Sequence, residues 1–105
     1  MRQRIMPGYD EIRLYKGDLV TVIHKHIPDG KIYLFGSRGV GAVMGRTDID
    51  IAVDIGEEID PVLLVKICKD IDALKIPYFI DVIDLHGVYD IMRDHILETG
   101  VFWGT

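Results

Sequence analysis

Two carboxylates are spaced so that they share one face of a strand. Asp48 and Asp50 begin an apolar run that extends to Val53, and ten residues separate them from the pair Gly36-Ser37. Successive side chains of a strand point to opposite faces, so carboxylates at i and i+2 lie side by side and repel each other. Mg²⁺ prefers such hard oxygen ligands and completes its shell with phosphate and water. The pattern therefore predicts a metal-dependent nucleotide site.

The pair Gly36-Ser37 follows a second apolar run, Lys31 to Phe35. Because Gly36 has no Cβ, the backbone can approach a triphosphate closely, and the N–H groups of the following turn can point at its oxygens. Alone, this signal is weak. It gains specificity from the nearby acids and from Asp81, which stands in a third apolar run.

The hydrophobic periodicity predicts strands that alternate with helices, which indicates an α/β fold. Asp60-Pro61 has the residue types of an N-cap followed by proline at N1, and Gly100 those of a C-terminal cap. In the last helix we expect an apolar stripe of Val88, Ile91, Met92 and Ile96. The expected elements are a helix (Tyr9 to Ile27), a strand (Lys31 to Phe35), a glycine-rich turn (Gly36 to Thr47), a strand (Asp48 to Asp54), a helix (from Asp60 to near Pro77), a strand (Tyr78 to Leu85) and a final helix.

Composition limits the classes of function. A chain of 105 residues with 49% hydrophobic residues is expected to form one domain, residues 1–105, with one packed core. The net charge of -5 argues against direct binding of nucleic acid. The single Cys68 fits a reducing cytoplasm, and no segment has the pattern of a signal peptide or a membrane span.

The combination of Gly36-Ser37, ten residues, Asp48-Ile49-Asp50 and a later strand with Asp81 resembles the minimal nucleotidyltransferase (MNT) family of the DNA-polymerase-beta-like superfamily. The resemblance covers roughly Ile32 to Leu85. It implies a small nucleotidyltransferase fold, with a short mixed sheet flanked by helices.

The resemblance also implies a role for each matching residue. Gly36, Ser37 and Arg38 would bind the nucleotide, with Ser37 on the β- or γ-phosphate. Two Mg²⁺ ions would be held by catalytic acids, and ATP would be the substrate. The acids that both bind metal and serve catalysis would be Asp48, Asp50 and Asp81.

The choice of the third acid depends on strand parity. Asp81 and Asp84 both stand in the third strand, but an odd spacing places them on opposite faces, so only one can point at the metals. We favour Asp81, and Asp84 is the alternative. Val40 departs from the family pattern, because many relatives carry a second arginine there, whereas Thr47 for serine is conservative.

Other interpretations compete with this one. Gly39-Val-Gly41 resembles a dinucleotide-binding turn but leaves Asp48 and Asp50 unexplained, and the segment Gly41 to Thr47 lacks the spacing and the lysine of a P-loop. The histidines of His24-Lys-His26 suit a charge role at a helix end better than a metal site. The segment Val101 to Trp103 fits either a cap on the core or an exposed contact surface.

We expect this chain to transfer AMP from ATP to a hydroxyl, because the resemblance implies adenylyltransferase activity. A single small domain leaves no room for a second domain that would hold the acceptor, which favours a protein acceptor. The resemblance implies that this partner is a HEPN-type toxin, modified on a tyrosine, and that the chain is its antitoxin. The alternatives are a module that neutralises its partner by contact with little chemistry, and an enzyme that modifies a small molecule with the help of a partner domain.

Overall fold

The computed structural model describes residues 9–35 and 48–104, and the side chains of residues 9–13 and of Asp48 lie outside this description. Its elements, in chain order, are α1 (Tyr9–His26), β1 (Lys31–Phe35), β2 (Asp48–Asp54), α2 (Pro61–Asp72), β3 (Phe79–Asp84), a turn of 3-10 helix (Leu85–Gly87), α3 (Asp90–Thr99) and β4 (Val101–Gly104). The expected glycine-rich turn, which contains Gly36, Ser37 and Arg38, lies outside the described residues.

The described strands form one four-stranded sheet in the order β3-β2-β1-β4. β1 is antiparallel to both β2 and β4, whereas β2 and β3 are parallel and are connected through α2. A parallel connection needs a crossover of this kind, because a short turn cannot return the chain to the starting edge. The expected α/β fold with a mixed sheet flanked by helices is confirmed.

One face of the sheet, which we call the core face, packs against α1 and α2. Branched aliphatic side chains dominate this face. Alternate residues of the strands and the apolar stripes of the two helices bring these side chains into one layer. The buried residues of this layer are Leu19, Ile23, Ile27, Ile32, Leu34, Ile49, Ile51, Val53, Ile59, Ile67, Ile71, Val82 and Trp103.

Local capping and one side-chain pair fix the two helices of the core face. The Asp60 side chain accepts a hydrogen bond of 2.9 Å from the Val62 amide, so the expected cap of α2 is confirmed. At the end of α1, His26 Nε2 lies 2.7 Å from Asp70 Oδ2 of α2. The pair ties the two helices together over 44 positions of sequence.

Helix α3 covers part of the opposite face, where Ile96 is buried together with Ala52 and Leu85. The expected apolar stripe of this helix is wrong at Ile91 and Met92, which are 85% and 41% exposed, and Val88 lies before the helix begins. Five residues at about 100° each turn Ile91 some 140° away from Ile96 around the helix, so the two cannot face the sheet together.

Gly100 ends α3, and its amide donates to the Ile96 carbonyl at 2.7 Å. Its φ of -74° suits any residue, but a Cβ at this position would lie 2.6 Å from the Ile96 carbonyl oxygen, so glycine is required for space. β4 follows at once. Its Trp103 is buried in the core whereas Phe102 is 53% exposed, so this segment is both a cap on the core and an exposed surface. No helix among the described residues is long and apolar enough to span a membrane.

Candidate functional site

Asp50 and Asp81 lie side by side in the sheet. They are direct register partners on the parallel strands β2 and β3, and the pair Asp48 and Phe79 precedes them in the same register. Neighbouring strands are about 4.8 Å apart, and register partners point to the same face. The structure thus brings two of the three expected acids together on the face opposite the core, which we call the carboxylate face. Asp48 shares this parity, although its side chain lies outside the description.

Asp84, the alternative third acid, points the other way and is engaged by the backbone. It pairs in register with Val53 of the core face. Its Oδ2 accepts a hydrogen bond of 2.8 Å from the Ile59 amide, and its Oδ1 accepts one of 3.0 Å from the His86 amide. These bonds cap the 3-10 turn and hold the loop before α2. Asp84 therefore has a structural role away from Asp50.

The two acids fit a magnesium ion by their donor chemistry. Asp50 is half-buried and Asp81 is exposed, so carboxylate oxygens lie at the surface of the sheet. Mg²⁺ is commonly bound by one or two protein carboxylates, with substrate phosphate and water as the remaining ligands. Among the described side chains no group of three or more His, Cys, Asp or Glu forms a metal site. Asp48, whose side chain lies outside the description, is the third protein ligand that the sequence predicts.

Two aromatic residues lie close to the acids in the sheet. Phe35, the last residue of β1, is the register partner of Asp50, and Phe79 stands two residues before Asp81 on β3. Phe35 is half-buried against the cluster of Ile96, whereas Phe79 is 63% exposed. Neither residue was among the candidates predicted from the sequence. Two-residue alternation along β3 places Phe79 on the same face as Asp81, whereas the pairing of β1 with β2 places Phe35 beside Asp50.

The expected nucleotide-binding residues follow this site directly in the chain. Gly36, Ser37 and Arg38 lie outside the described residues, so their expected role stays a prediction. The described strand β1 nevertheless ends at Phe35, opposite Asp50. The chain therefore enters the Gly36-Ser37 segment from a position beside the acids.

Cys68 lies on α2, which packs against β3. Burial raises the pKa of the Cys68 thiol, and the carboxylates of Asp72 and Asp81 raise this pKa further. A thiol held protonated is a poor nucleophile and a poor metal ligand. Cys68 is partly buried and packs against the main core cluster.

Two of the histidines make contacts away from Asp50 and Asp81. His24 Nε2 lies 3.0 Å from the Gly30 carbonyl oxygen, in the turn that follows α1. His86 Nε2 lies 2.7 Å from Oδ1 of Asp54, at the end of β2 farthest from Asp48. Both side chains make contacts within the fold, and the charge role at a helix end that we expect for His24 stays a prediction.

The sequence model described as "Polymerase beta, Nucleotidyltransferase" matches residues 18–102 of this chain. The match includes β1, β2 and β3 with their acids, and it reaches the first residues of β4. No curated protein matches the chain significantly.

Several solved structures are similar to it. One is a crystal structure of a toxin-antitoxin with AMP-PNP, with a TM-score of 0.67, 26% identity, and coverage of 86% of this chain and 73% of that one. Another is the tri-AMPylated Shewanella oneidensis HEPN toxin in complex with an MNT antitoxin, with a TM-score of 0.66, 25% identity, and coverage of 89% and 72%. A third, the MntA-HepT toxin-antitoxin, has a TM-score of 0.66, 24% identity, and coverage of 89% and 73%, and supports the fold alone.

Proposed function

This chain belongs to the polymerase beta nucleotidyltransferase family, and from that premise we propose that it transfers AMP from ATP to a hydroxyl group of a partner protein. The observation that carries the proposal is the register of Asp50 with Asp81 on one face of the sheet. A nucleotidyltransferase needs acids that hold divalent ions beside the α-phosphate, and adjacent strands hold such acids rigidly. The fold therefore contributes first by holding the two carboxylates in fixed positions.

The reaction exchanges one phosphorus–oxygen bond for another. The oxygen of the acceptor hydroxyl attacks the α-phosphorus of ATP, the bond from that phosphorus to the bridging oxygen of the β-phosphate breaks, and pyrophosphate leaves. The proton of the hydroxyl passes to the Asp81 carboxylate, which is exposed and so reachable by an acceptor from solution. Asp81 thereby also holds the acceptor oxygen in line with the leaving group.

Divalent metal is part of the proposal. Asp48, Asp50 and Asp81 would hold two Mg²⁺ ions, which stabilise the attacking oxygen and the leaving pyrophosphate when bound. Without a cation, the acids would repel both one another and the triphosphate. Gly36, Ser37 and Arg38 would receive the phosphates, because they directly follow the strand residue that lies opposite Asp50.

The comparisons support a toxin partner. One similar structure joins a tri-AMPylated HEPN toxin to an MNT antitoxin, and another contains AMP-PNP, an ATP analogue. A nucleotidyltransferase domain corresponds to the MNT member of such a pair. We therefore infer that the chain acts as an antitoxin in the cytoplasm and silences a HEPN-type toxin by adenylylation, with a tyrosine hydroxyl as the acceptor.

An antitoxin that acts by contact alone is the second candidate, because a toxin that is bound tightly can be neutralised without being modified. The two candidates differ in the mass of the partner. Co-expression of this chain with the gene beside its own, followed by intact mass spectrometry of the neighbour's product, tests them. We expect a gain of one or more AMP groups, and the Asp50→Asn variant serves as the matched control that should leave the mass unchanged. A neutralised partner of unaltered mass with the wild-type chain would favour contact alone.

A further inference from the structure

Tyr89 is a tyrosine whose side chain stands almost wholly in solvent. It is 89% exposed, whereas the other three tyrosine side chains that the structure describes are half-buried. Each of those three pairs with a second aromatic ring, Tyr15 with Tyr78 at 5.9 Å between centroids and Tyr33 with Phe102 at 5.4 Å. Tyr89 is the N-cap residue of α3 and makes no side-chain capping bond to that helix. Its phenol is therefore accessible to another molecule.

A cation lies beside Tyr89, because Tyr89 and Arg93 line the same open depression of about 620 Å³. The Arg93 amide donates to the Tyr89 carbonyl at 2.9 Å, so Arg93 stands one helical turn after Tyr89. Its Nη1 donates to Asp90 Oδ1 at 2.9 Å, and the Asp90 side chain is 85% exposed. An exposed pair of this kind contributes little to stability, so the guanidinium can exchange Asp90 for a phosphate oxygen. A phosphodiester formed on Tyr89 would thus have a cation within one helical turn.

Carboxylates in the same depression argue against a second nucleotide site. Glu58 and Asp90 both line it. A triphosphate carries several negative charges, so these acids would repel it, whereas the phosphodiester of a transferred AMP carries one. Among the described residues no group of three or more His, Cys, Asp or Glu could hold a metal ion to offset that repulsion. The depression therefore suits an acceptor hydroxyl better than ATP.

The depression lies toward the end of the sheet away from the catalytic acids. His86, which also lines it, lies 2.7 Å from Asp54 Oδ1 through its Nε2. Asp54 stands four residues, about 13 Å, beyond Asp50 along β2. We therefore expect Tyr89 to meet the acids of another molecule of this chain and not those of its own.

We propose that Tyr89 is itself a modification site, at which a second copy of this chain transfers AMP from ATP to the phenol oxygen. The inference rests on the proposed function and adds a second acceptor to that same site. The phenol oxygen attacks the α-phosphorus of ATP on the second copy, the bond from that phosphorus to the bridging oxygen of the β-phosphate breaks, and pyrophosphate leaves. The phenol proton passes to the Asp81 carboxylate of the second copy. The reaction is expected in antitoxin without its partner, because the partner's own acceptor competes for the same acids.

The purified chain, incubated alone with Mg²⁺ and ATP labelled on its α-phosphate, tests the proposal. We expect label on the chain itself, and mass spectrometry of its peptides should place the added AMP on Tyr89. Tyr89→Phe keeps the ring and removes the acceptor oxygen, so it should lose nearly all of this label while still transferring AMP to the partner. Tyr33→Phe is the matched control, because Tyr33 is half-buried beside Phe102, and it should label like wild type.

A mixture of two variants separates transfer between copies from transfer within one. Asp50→Asn retains Tyr89 but lacks a catalytic acid, and Tyr89→Phe retains the acids but lacks the acceptor. Neither variant should become labelled alone. In the mixture the Asp50→Asn copy, distinguished by a size tag, should gain label at a rate that rises with the concentration of the Tyr89→Phe copy.

The outcomes separate this inference from the proposed function. Label on the partner but none on the wild-type chain would overturn the role of Tyr89 and leave the transfer activity standing. Undiminished label in Tyr89→Phe would overturn it too, and label in the wild-type chain without label in the mixture would overturn transfer between copies. No label on either the partner or the chain would instead reject the proposed function itself.

Discussion

Asp50 and Asp81 stand opposite each other in the register of two parallel strands, although they are 31 positions apart in the sequence. The crossover through α2 makes this possible, because it returns the chain parallel to β2 in a register that places Asp81 on the same face of the sheet as Asp50. Three residues later the alternation has reversed, and Asp84 points into the core face. The sheet therefore gives two acids of one strand different tasks.

These tasks predict opposite phenotypes for matched substitutions. Asp81→Asn should lower the turnover of AMP transfer by about 10²- to 10⁴-fold, the usual worth of a positioned acid or base, and should leave the melting temperature near wild type. Asp84→Asn should keep activity within a few fold. It should nevertheless destabilise the fold by about 1–3 kcal/mol, because it weakens the hydrogen bonds that the Asp84 side chain accepts from the backbone amides of Ile59 and His86.

Turnover and urea unfolding, measured on both variants, check this prediction. A severe loss of turnover in Asp84→Asn alone would show that the acids have exchanged roles. Full activity in both would remove the third acid from the mechanism.

Nucleotide affinity should depend on a divalent cation. The acids of β2 repel the triphosphate unless Mg²⁺ or Mn²⁺ lies between them, so ATP should bind tightly with metal and very weakly in EDTA. Isothermal titration calorimetry measures both conditions directly. The Asp48→Asn, Asp50→Asn double variant should bind ATP weakly in both. Equal affinity with and without metal in the wild-type chain would contradict the metal site.

Much of this architecture could be predicted from local patterns. The limits of β1 and β2 and the cap at Asp60 follow from alternation and side-chain chemistry within a few residues. β4 could not be predicted in this way, because a four-residue strand is specified by its pairing with β1, far away in sequence. The exposure of Ile91 could not be predicted either, because it depends on which part of α3 packs against the sheet. The bond from the Ile59 amide to Asp84 joins residues 25 positions apart, so no local pattern could reveal it.

Two glycines of helical segments should respond in opposite directions to alanine. A Cβ at Gly100 would lie 2.6 Å from the Ile96 carbonyl oxygen, so Gly100→Ala should destabilise by about 1–3 kcal/mol. Gly17 lies inside α1, and a Cβ there would meet no atom of the described residues within 4 Å, so Gly17→Ala should stabilise by about 0.5–1 kcal/mol. Urea unfolding measures both. Stabilisation by Gly100→Ala would show that the end of α3 relaxes freely.

The His26–Asp70 contact should make stability depend on pH in acid. The hydrogen bond from His26 lowers the pKa of Asp70 in the folded chain, burial opposes this in part, and the charge of Lys25 lowers the pKa further. A carboxyl with a lowered pKa stabilises the fold above its unfolded pKa, and that contribution disappears as the pH falls through the folded pKa.

Asp70→Asn should therefore be less stable than wild type at neutral pH and should approach it in acid. Denaturant midpoints across this range measure the difference, and Asp72→Asn, a substitution of an exposed carboxylate two residues along the same helix, is the control. A difference that persists unchanged in acid would mean that Asp70 stabilises the helices by packing alone.

Transfer of label from ATP labelled on its α-phosphate to the purified partner protein is the most direct test of the central claim. With Mg²⁺, the wild-type chain should move label to the partner and release unlabelled pyrophosphate. The Asp50→Asn variant should bind the partner equally well and transfer almost none, because the partner surface is intact and the acid is gone. A partner that is bound and neutralised by the wild-type chain, yet gains no label, would contradict the account and leave neutralisation by contact in its place.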